Sequence, residues 1–157
     1  MSLTVYYVTG RKRHTSKTAT DLREAVLEIM AKDHRSLYLT ALRAIDLSNL
    51  DLSKTGFGGA DLREASFRNS NLTESSFTTA DLRRADFSSA KLIDADLHKV
   101  NARGARFRGA DLTGADFSEA DLADVDFTDA ILDGASFAKS VNLDIKWGKV
   151  SGELDHD

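Results

Sequence analysis

The chain has 157 residues, of which 41% are hydrophobic and 29% are charged, and its formal net charge is -4. This length and this apolar fraction suit one globular domain with a substantial core. The absence of cysteine excludes a disulfide framework and a thiolate metal site. No apolar run approaches the roughly 18 residues of a membrane span, and the N-terminus has no signal-peptide pattern. We therefore expect a cytoplasmic protein without membrane contacts.

The charges are unevenly distributed along the chain. Residues 1–44 hold eight Lys or Arg against four Asp or Glu, whereas residues 45–137 hold ten against seventeen. Residues 138–157 hold three against four. The sequence therefore combines a basic N-terminal segment with an acidic main segment.

The N-terminal segment begins with a predicted strand and a basic loop. The stretch LTVYYV, residues 3–8, is typical of a short strand, and GRKRHTSK, residues 10–17, indicates a loop. The charges of RKRH at 11–14 and of Lys17 lack the interleaved aromatic residues of a nucleic-acid surface. We interpret them as a solvated turn and expect no direct nucleic-acid binding.

A helix is predicted for DLREAVLEIMAKD, residues 21–33, and we expect it to cap the structure that follows. Apolar residues recur in it at helical spacing: Leu22, Ala25, Val26, Ile29 and Met30. Asp21 and Glu24 are typical of a capping-box start. Residues 36–44 keep the phase of the next segment, but they also continue the helical stripe, so both interpretations stay open.

From residue 47 the chain repeats one five-residue phrase: a small residue, a polar residue that is often Asp, and a large apolar centre. Nineteen centres follow one another without insertion, from Leu47 to Phe137. All eight phenylalanines are centres, and we predict that they form the inward core: Phe57, Phe67, Phe77, Phe87, Phe107, Phe117, Phe127 and Phe137.

A period of five fits neither an α-helix nor a continuous strand. Steps of five advance about 140° around a helix, which scatters the centres, and an odd step along a strand alternates the face. The chain must therefore turn once per repeat, as in a solenoid. Leu and Phe centres alternate. A four-sided coil of twenty residues therefore stacks Leu on Leu and Phe on Phe, whereas a three-sided coil of fifteen residues stacks Phe on Leu. Nineteen repeats then give about 4.75 to 5 coils.

The tandem pattern A-[DN]-[LF]-x-x resembles the pentapeptide-repeat family over about residues 45–140. The resemblance implies an all-β solenoid, a right-handed quadrilateral parallel β-helix. We expect an N-terminal strand, basic loop and capping α-helix over 1–44, the β-helix over 45–138, and a C-terminal strand and tail over 139–157. The centre and the small residue two before it should point inward, and the Asp between them outward as a solvated, ladder-capping residue.

One repeat departs from this pattern. Val100 and Ala102 replace the usual Ala and Leu, and Leu97 stands where Phe is expected. We interpret the change as a local exchange of volume rather than as a ligand cavity.

The C-terminal segment predicts a further strand. Its apolar residues alternate with polar residues or Gly, as in a half-buried strand: Val141, Leu143, Ile145 and Trp147. The strand either caps the last coil or forms half of a homodimer contact through the C-terminal end. The second interpretation follows from the resemblance, since the gyrase-protecting members of the family pair at this end.

Motifs for chemistry are missing from the sequence. His14, His34, His98 and His156 share no metal-ligand spacing with one another or with a carboxylate pair. If the inward side chains fill the interior of the coil, the interior offers no pocket for nucleophilic catalysis. The Gly-rich GFGGAD does not lead from a strand into a helix, so it is no phosphate loop. We expect a protein without catalytic residues, metal or cofactor.

The candidate binding residues are therefore charged residues on the predicted surface. A coil of twenty residues stacks Arg63, Arg83 and Arg103 on one face, where they are either compensated by neighbouring acids or bind an anionic partner. Residues 109–138 hold eight acidic residues and no basic one. The candidates among them are four aspartates: Asp111, Asp116, Asp121 and Asp126.

Two functions agree with these features. The first is a non-enzymatic protein-interaction scaffold whose protein partner the sequence does not identify. The alternative is a DNA-mimicking inhibitor or protector of a type II topoisomerase, DNA gyrase. The resemblance implies this alternative, because gyrase-protecting relatives are similar to DNA in width and charge. Mimicry needs a continuous acidic face and a C-terminal two-fold contact, whereas a scaffold needs neither.

Overall fold

The computed structural model describes residues 3–6, 12–16, 22–32, 36–142 and 145–147. Its strands and helix are, in chain order, β1 (Leu3–Tyr6), β2 (Lys12–Ser16), α1 (Leu22–Lys32), β3 (Asp126–Phe127) and β4 (Lys146–Trp147). Most of the described chain, from residue 36 onward, is a regular succession of turns and single β-bridges.

Strands β1 and β2 form an antiparallel hairpin, with Leu3 opposite Ser16. The predicted strand is confirmed over residues 3–6. The prediction of a basic loop over residues 10–17 is wrong for residues 12–16, which form β2. The stretch KRHTS has no apolar alternation, so pairing with β1, rather than its own pattern, makes it a strand.

Helix α1 presents the predicted apolar stripe to the rest of the molecule. Ala25, Val26 and Ile29 are buried in the same hydrophobic core as the coil residues, and Leu22 and Met30 pack against that core. The helix also contacts both strands of the hairpin. It therefore lies between the N-terminal hairpin, which it contacts, and the coil, whose apolar core it shares.

Arg23 adds hydrogen bonds between α1 and the coil. Its Nη1 donates to the carbonyl oxygen of Asp46 at 2.8 Å, and its Nη2 donates to that of Ser48 at 3.1 Å. The predicted cap residue Asp21 lies outside the described residues.

The coil has a period of twenty residues. Parallel β-bridges join residues twenty positions apart at every fifth residue from Ser36 to Val141, and β3 continues this register by pairing with β4. Because the repeat is five residues long, one coil has four sides. The register includes residues 36–44, which belong to the coil and do not continue the helix; Leu37 and Leu42 are fully buried there.

The chain turns a corner once per repeat. The amide three residues after the centre donates to the carbonyl of that centre, as Ala120 does to Phe117 at 3.0 Å. At Leu47 the hydroxyl of Ser70 intervenes: it accepts from the amide of Leu50 and donates to the carbonyl of Leu47. The residue two after the centre has a φ between +54° and +68°, as the third residue of a type II turn requires. Glycine fills five of these corners, including Gly104, but most carry a side chain. The left-handed conformation costs such residues free energy, which the hydrogen bonds on both sides of the corner offset.

Each amide of a regular repeat has a partner, as residues 116–120 illustrate. Two amides, at positions 117 and 119, donate to the next coil at 2.8 and 2.9 Å; the amide of position 116 donates to the preceding coil, and that of position 120 closes the turn. The fifth amide, of Ser118, donates to Asp116 Oδ1 at 2.8 Å. The outward Asp thus accepts the amide that neither the ladder nor the turn uses. Asn71 makes the same bond in its own repeat.

The phenylalanine rings form two columns that face each other inside the coil. Rings twenty residues apart are stacked: the centroids of Phe67 and Phe87 are 4.8 Å apart, with an interplanar angle of 4°. Rings ten residues apart meet edge to face, as Phe57 and Phe67 do at 5.5 Å and 81°. All eight rings are buried, as predicted, with exposed fractions of 2% or less. Both arrangements suit the quadrupole of the aromatic ring and add to the stability gained by burial.

The irregular repeat is filled by its own side chains. Leu97, Val100 and Ala102 are each exposed by 1% or less and belong to the core. Val100 and Ala102 are inward neighbours on one side of the coil, and the exchange of volume between them stays a prediction. Leu97 interrupts one aromatic column between Phe77 and Phe117.

The C-terminal segment continues the register of the coil. Val141 forms a bridge with Asp121, and β4, which ends at Trp147, pairs in parallel with β3. Val141 is 51% exposed, whereas Ile145 packs against the core, so these two residues of the predicted alternating set have different environments. Leu143 lies outside the described residues. The homodimer contact stays a prediction.

Replacement of Asp111 tests the corner hydrogen bond. Its Oδ1 accepts the amide of Thr113 at 3.1 Å and the hydroxyl of Thr113 at 2.7 Å. We expect Asp111→Ala to lower the free energy of unfolding by about 1–2 kcal/mol, because the amide loses its partner. Asp111→Asn should retain most of that free energy, since Asn71 accepts the equivalent amide. Denaturant unfolding at neutral pH measures both variants, and equal losses would mean that charge rather than the amide bond matters.

A double-mutant cycle tests the exchange of volume between Val100 and Ala102. We expect Val100→Ala to cost about 2 kcal/mol because it leaves a cavity, and Ala102→Leu to cost about 1–3 kcal/mol because it overfills the bore. The double variant restores the usual repeat and should regain at least about 1 kcal/mol relative to the sum of the single losses. Strictly additive losses in denaturant unfolding would refute this compensation.

Candidate protein-binding surface

Each side of the coil displays outward side chains in fixed rows. We name the four sides after one of their central residues: the Leu52 face, the Phe57 face, the Leu62 face and the Phe67 face. Residues twenty positions apart lie on the same face in adjacent coils, which are separated by about 4.8 Å along the axis. Charges at twenty-residue spacing therefore form a row.

The four candidate aspartates do not form one acidic face. Asp111, Asp116, Asp121 and Asp126 are five residues apart, so each lies on a different face. Each also accepts a hydrogen bond from the amide two residues farther along the chain. The structure thus places them around the coil as corner acceptors.

Two of these aspartates pair with arginines of the preceding coil. Nη1 of Arg103 lies 3.3 Å from Asp121 Oδ2, and Nη1 of Arg108 lies 3.5 Å from Asp126 Oδ2. Burial alone raises the pKa of Asp121, but hydrogen bonds to it, led by that of Asn142, outweigh burial and hold the pKa below its ordinary value. The negative charge of both carboxylates is partly balanced within the chain.

Arginines form a row on the Leu62 face. Arg63, Arg83 and Arg103 follow one another at twenty-residue spacing, and Arg43 extends the row by one coil. Their side chains are between 34% and 56% exposed. Repulsion along the row is reduced by acidic neighbours, among them Glu64, whose Oε1 lies 2.6 Å from Arg43 Nη2.

Two of the arginines are held by bidentate ion pairs. Arg63 donates from Nε and Nη2 to the two carboxylate oxygens of Asp61 at 2.7 and 2.6 Å. Arg83 donates in the same way to Asp81 at 2.8 and 2.6 Å. The hydrogen bond from Arg63 lowers the pKa of Asp61, and the bonds to the aspartates raise the pKa of both arginines. The guanidinium groups are therefore charged and fixed in orientation.

A groove of about 470 Å³ runs beside this row. Five arginines line it together with Gly104 and two acidic residues: Arg43, Arg63, Arg83, Arg84, Arg103, Glu64 and Asp124. Arg84 lies at a corner, with a φ of +61°, and its side chain makes no hydrogen bond or ion pair within the described part of the chain. Since basic side chains outnumber acidic ones, the groove suits an anionic group.

Arg84 is not among the candidate residues that the sequence pattern predicted. The sequence feature that could have indicated Arg84 is its position directly after Arg83. Neighbouring residues of a coil point in different directions, and only the corner geometry shows that Arg84 lies beside the row.

The described residues form neither a metal cluster nor a membrane-spanning helix. Within the ranges that the structure describes, no three His, Asp or Glu side chains are grouped closely enough to hold a metal ion. In those ranges, no helix has the length and apolar composition needed to cross a bilayer.

Comparison with known proteins identifies the repeat. The model of pentapeptide repeats matches with eight copies over residues 42–78 and 80–118. A pentapeptide repeat protein from the thylakoid lumen of Arabidopsis thaliana is 35% identical, with a TM-score of 0.50, over 60% of this chain and 69% of that one. The pentapeptide repeat protein Rfr23 from the cyanobacterium Cyanothece 51142 is 19% identical, with a TM-score of 0.59, over 83% and 97% of the two chains.

A weaker likeness involves QnrB1, described as a plasmid-mediated fluoroquinolone resistance protein. It is 22% identical over 72% of this chain and 68% of that one, with a TM-score of 0.42. No curated protein matches the chain.

A four-sided coil with a five-residue period defines a solenoid of the quadrilateral β-helix class. The chain belongs to the pentapeptide repeat family, as its sequence pattern predicted. Proteins of this family form right-handed quadrilateral β-helices. Because one relative resides in the thylakoid lumen, the cytoplasmic location stays a prediction.

Proposed function

We propose that this protein is a non-enzymatic scaffold that binds a protein partner through its Leu62 face. The observation that supports the proposal most strongly is the groove of about 470 Å³ beside the arginine row. The guanidinium groups of Arg63 and Arg83 are already oriented there by their own aspartates. A partner therefore meets charges whose positions need little rearrangement on binding.

The rest of the coil supports the same function. The bore is filled by buried side chains, and bridges at every fifth residue join each coil to the next. A structure of this kind keeps its outward rows at constant spacing. Proteins of this family are generally structural or interaction scaffolds.

DNA mimicry toward DNA gyrase is the alternative, and it has less support. In its favour, residues 109–138 hold eight acidic residues and no basic one. Against it, the four candidate aspartates lie on four different faces, and two of them pair with Arg103 and Arg108. A mimic needs a continuous acidic face, which these residues do not supply.

Photo-crosslinking from each face tests the scaffold proposal. A photoreactive residue replaces one outward residue per face: Asn101 on the Leu62 face, Arg106 on the Phe67 face, Lys91 on the Leu52 face or Ser76 on the Phe57 face. We expect position 101 to give a discrete protein adduct in cells of the source organism, because it lies on the face of the arginine row, two residues before Arg103. The other three positions are matched controls for random collision, and mass spectrometry identifies the adduct.

Each outcome of this experiment is informative. Adducts from position 101 alone support the scaffold and its face. Protein adducts from another face alone retain a scaffold but move its binding surface. Four further variants carry the photoreactive residue at 111, 116, 121 or 126; adducts of these variants to gyrase would instead support DNA mimicry. No adduct from any of the eight positions would contradict both functions.

A further inference from the structure

We propose that the groove on the Leu62 face binds an acidic segment of the partner protein, whose carboxylates pair with Arg63, Arg83 and Arg84. This inference rests on the proposed scaffold function and adds the chemical class of the ligand.

The two oriented arginines each have a free edge. Arg63 and Arg83 use Nε and Nη2 on their own aspartates, and Nη1 of each makes no hydrogen bond within the described part of the chain. A guanidinium held on one edge can still donate from the other. Each intrachain pair thus fixes the arginine without using all of its donors, which lowers the entropy cost of binding a second carboxylate.

Arg84 differs from Arg63 and Arg83 in that none of its guanidinium donors is used within the described part of the chain. Its side chain has no intrachain ion pair among the described residues, and it is exposed at the rim of the groove. A Cβ placed on Gly104 would lie 3.6 Å from Arg84 Cγ, so the alkyl chain of Arg84 runs past Gly104 toward the next coil. The charge of Arg84 is therefore carried into the groove and is not neutralised by the chain itself.

The acids around the groove favour a short anionic segment over a nucleic acid. Asp61 and Asp81 flank the arginine row, and Glu64 and Asp124 line the groove. Double-stranded DNA carries one charge per about 1.7 Å of its axis, so a duplex laid along this face would bring phosphates against these carboxylates and against the acidic residues of 109–138. A protein segment has only a few carboxylates, so these can pair with the arginines while its uncharged residues lie beside the acids.

The size of the site agrees with such a segment. The row from Arg43 to Arg103 spans three coil steps, or about 14 Å at a spacing of about 4.8 Å. An extended chain covers this distance with about four residues. Two or three carboxylates therefore fill the groove, and the complex should weaken as salt is added.

Peptide binding by fluorescence anisotropy tests the inference on the full chain. The probe is a short labelled peptide of alternating Glu and Ser, with the same peptide carrying Gln for Glu as a control. We expect the wild-type protein to bind the Glu peptide at low salt and not the Gln peptide. Arg84→Gln should weaken binding by about tenfold, as expected for the loss of a charged hydrogen bond, with an unchanged thermal midpoint because Arg84 has no described polar contact.

Arg106→Gln is the matched control. Arg106 is also exposed and also has no ion pair among the described residues, but it lies on the Phe67 face. The substitution removes the same charge, and we expect it to change peptide affinity by less than about twofold, as for a remote surface charge. An equal loss in both variants would show attraction by net charge and would overturn the site.

Two further results would overturn the inference. One is the absence of binding between the wild-type protein and the Glu peptide. The other is tighter binding of a labelled DNA duplex that depends on Arg84, which would make nucleic acid the ligand. If the peptide fails while position 101 still crosslinks to a protein, the scaffold function stands and only the acidic ligand class is wrong.

Discussion

The structure depends on one constraint: each five-residue repeat must turn a corner and still give its backbone amides partners. Ladders to the coils above and below take three amides, and the turn takes a fourth. The remaining amide points to the outside of the corner, where, in repeats whose outward residue is Asp or Asn, the side-chain oxygen of that residue accepts it. The recurrence of Asp at this position is therefore explained by hydrogen bonding first and by solubility second.

Once the corners are fixed, the positions and volumes of the core side chains can vary little. Like centres stack every twenty residues, which places aromatic rings 4.8 to 5.3 Å apart within a column. An altered volume in one repeat has to be compensated in the same repeat, because the coils above and below are held in register by bridges. We interpret Val100 beside Ala102 as such a compensation. The outer rows inherit the same regular spacing, and the arginine row on the Leu62 face is a consequence of it.

The sequence predicted the features that depend on periodicity. Spacing alone indicated the four-sided coil, the inward phenylalanines and the apolar stripe of α1. It did not predict β2, because KRHTS becomes a strand by pairing with β1 and carries no apolar pattern of its own. It left residues 36–44 open, since Leu37 and Leu42 fit both a helical stripe and the coil phase. Arg84 was missed because corner positions carry no hydrophobic signal, and their direction follows from a positive φ that many residue types adopt here.

The functional account joins a rigid coil to a charged groove. Arginines held by their own aspartates are oriented before a partner arrives, and Arg84 adds a charge that the chain does not balance. An NMR titration that follows backbone amide shifts during addition of an acidic peptide tests this account most directly. We predict shift changes confined to the Leu62 face and its corner, at residues 63–64, 83–84 and 103–104. Changes of similar size on the Leu52 face, or none on either face, would contradict it.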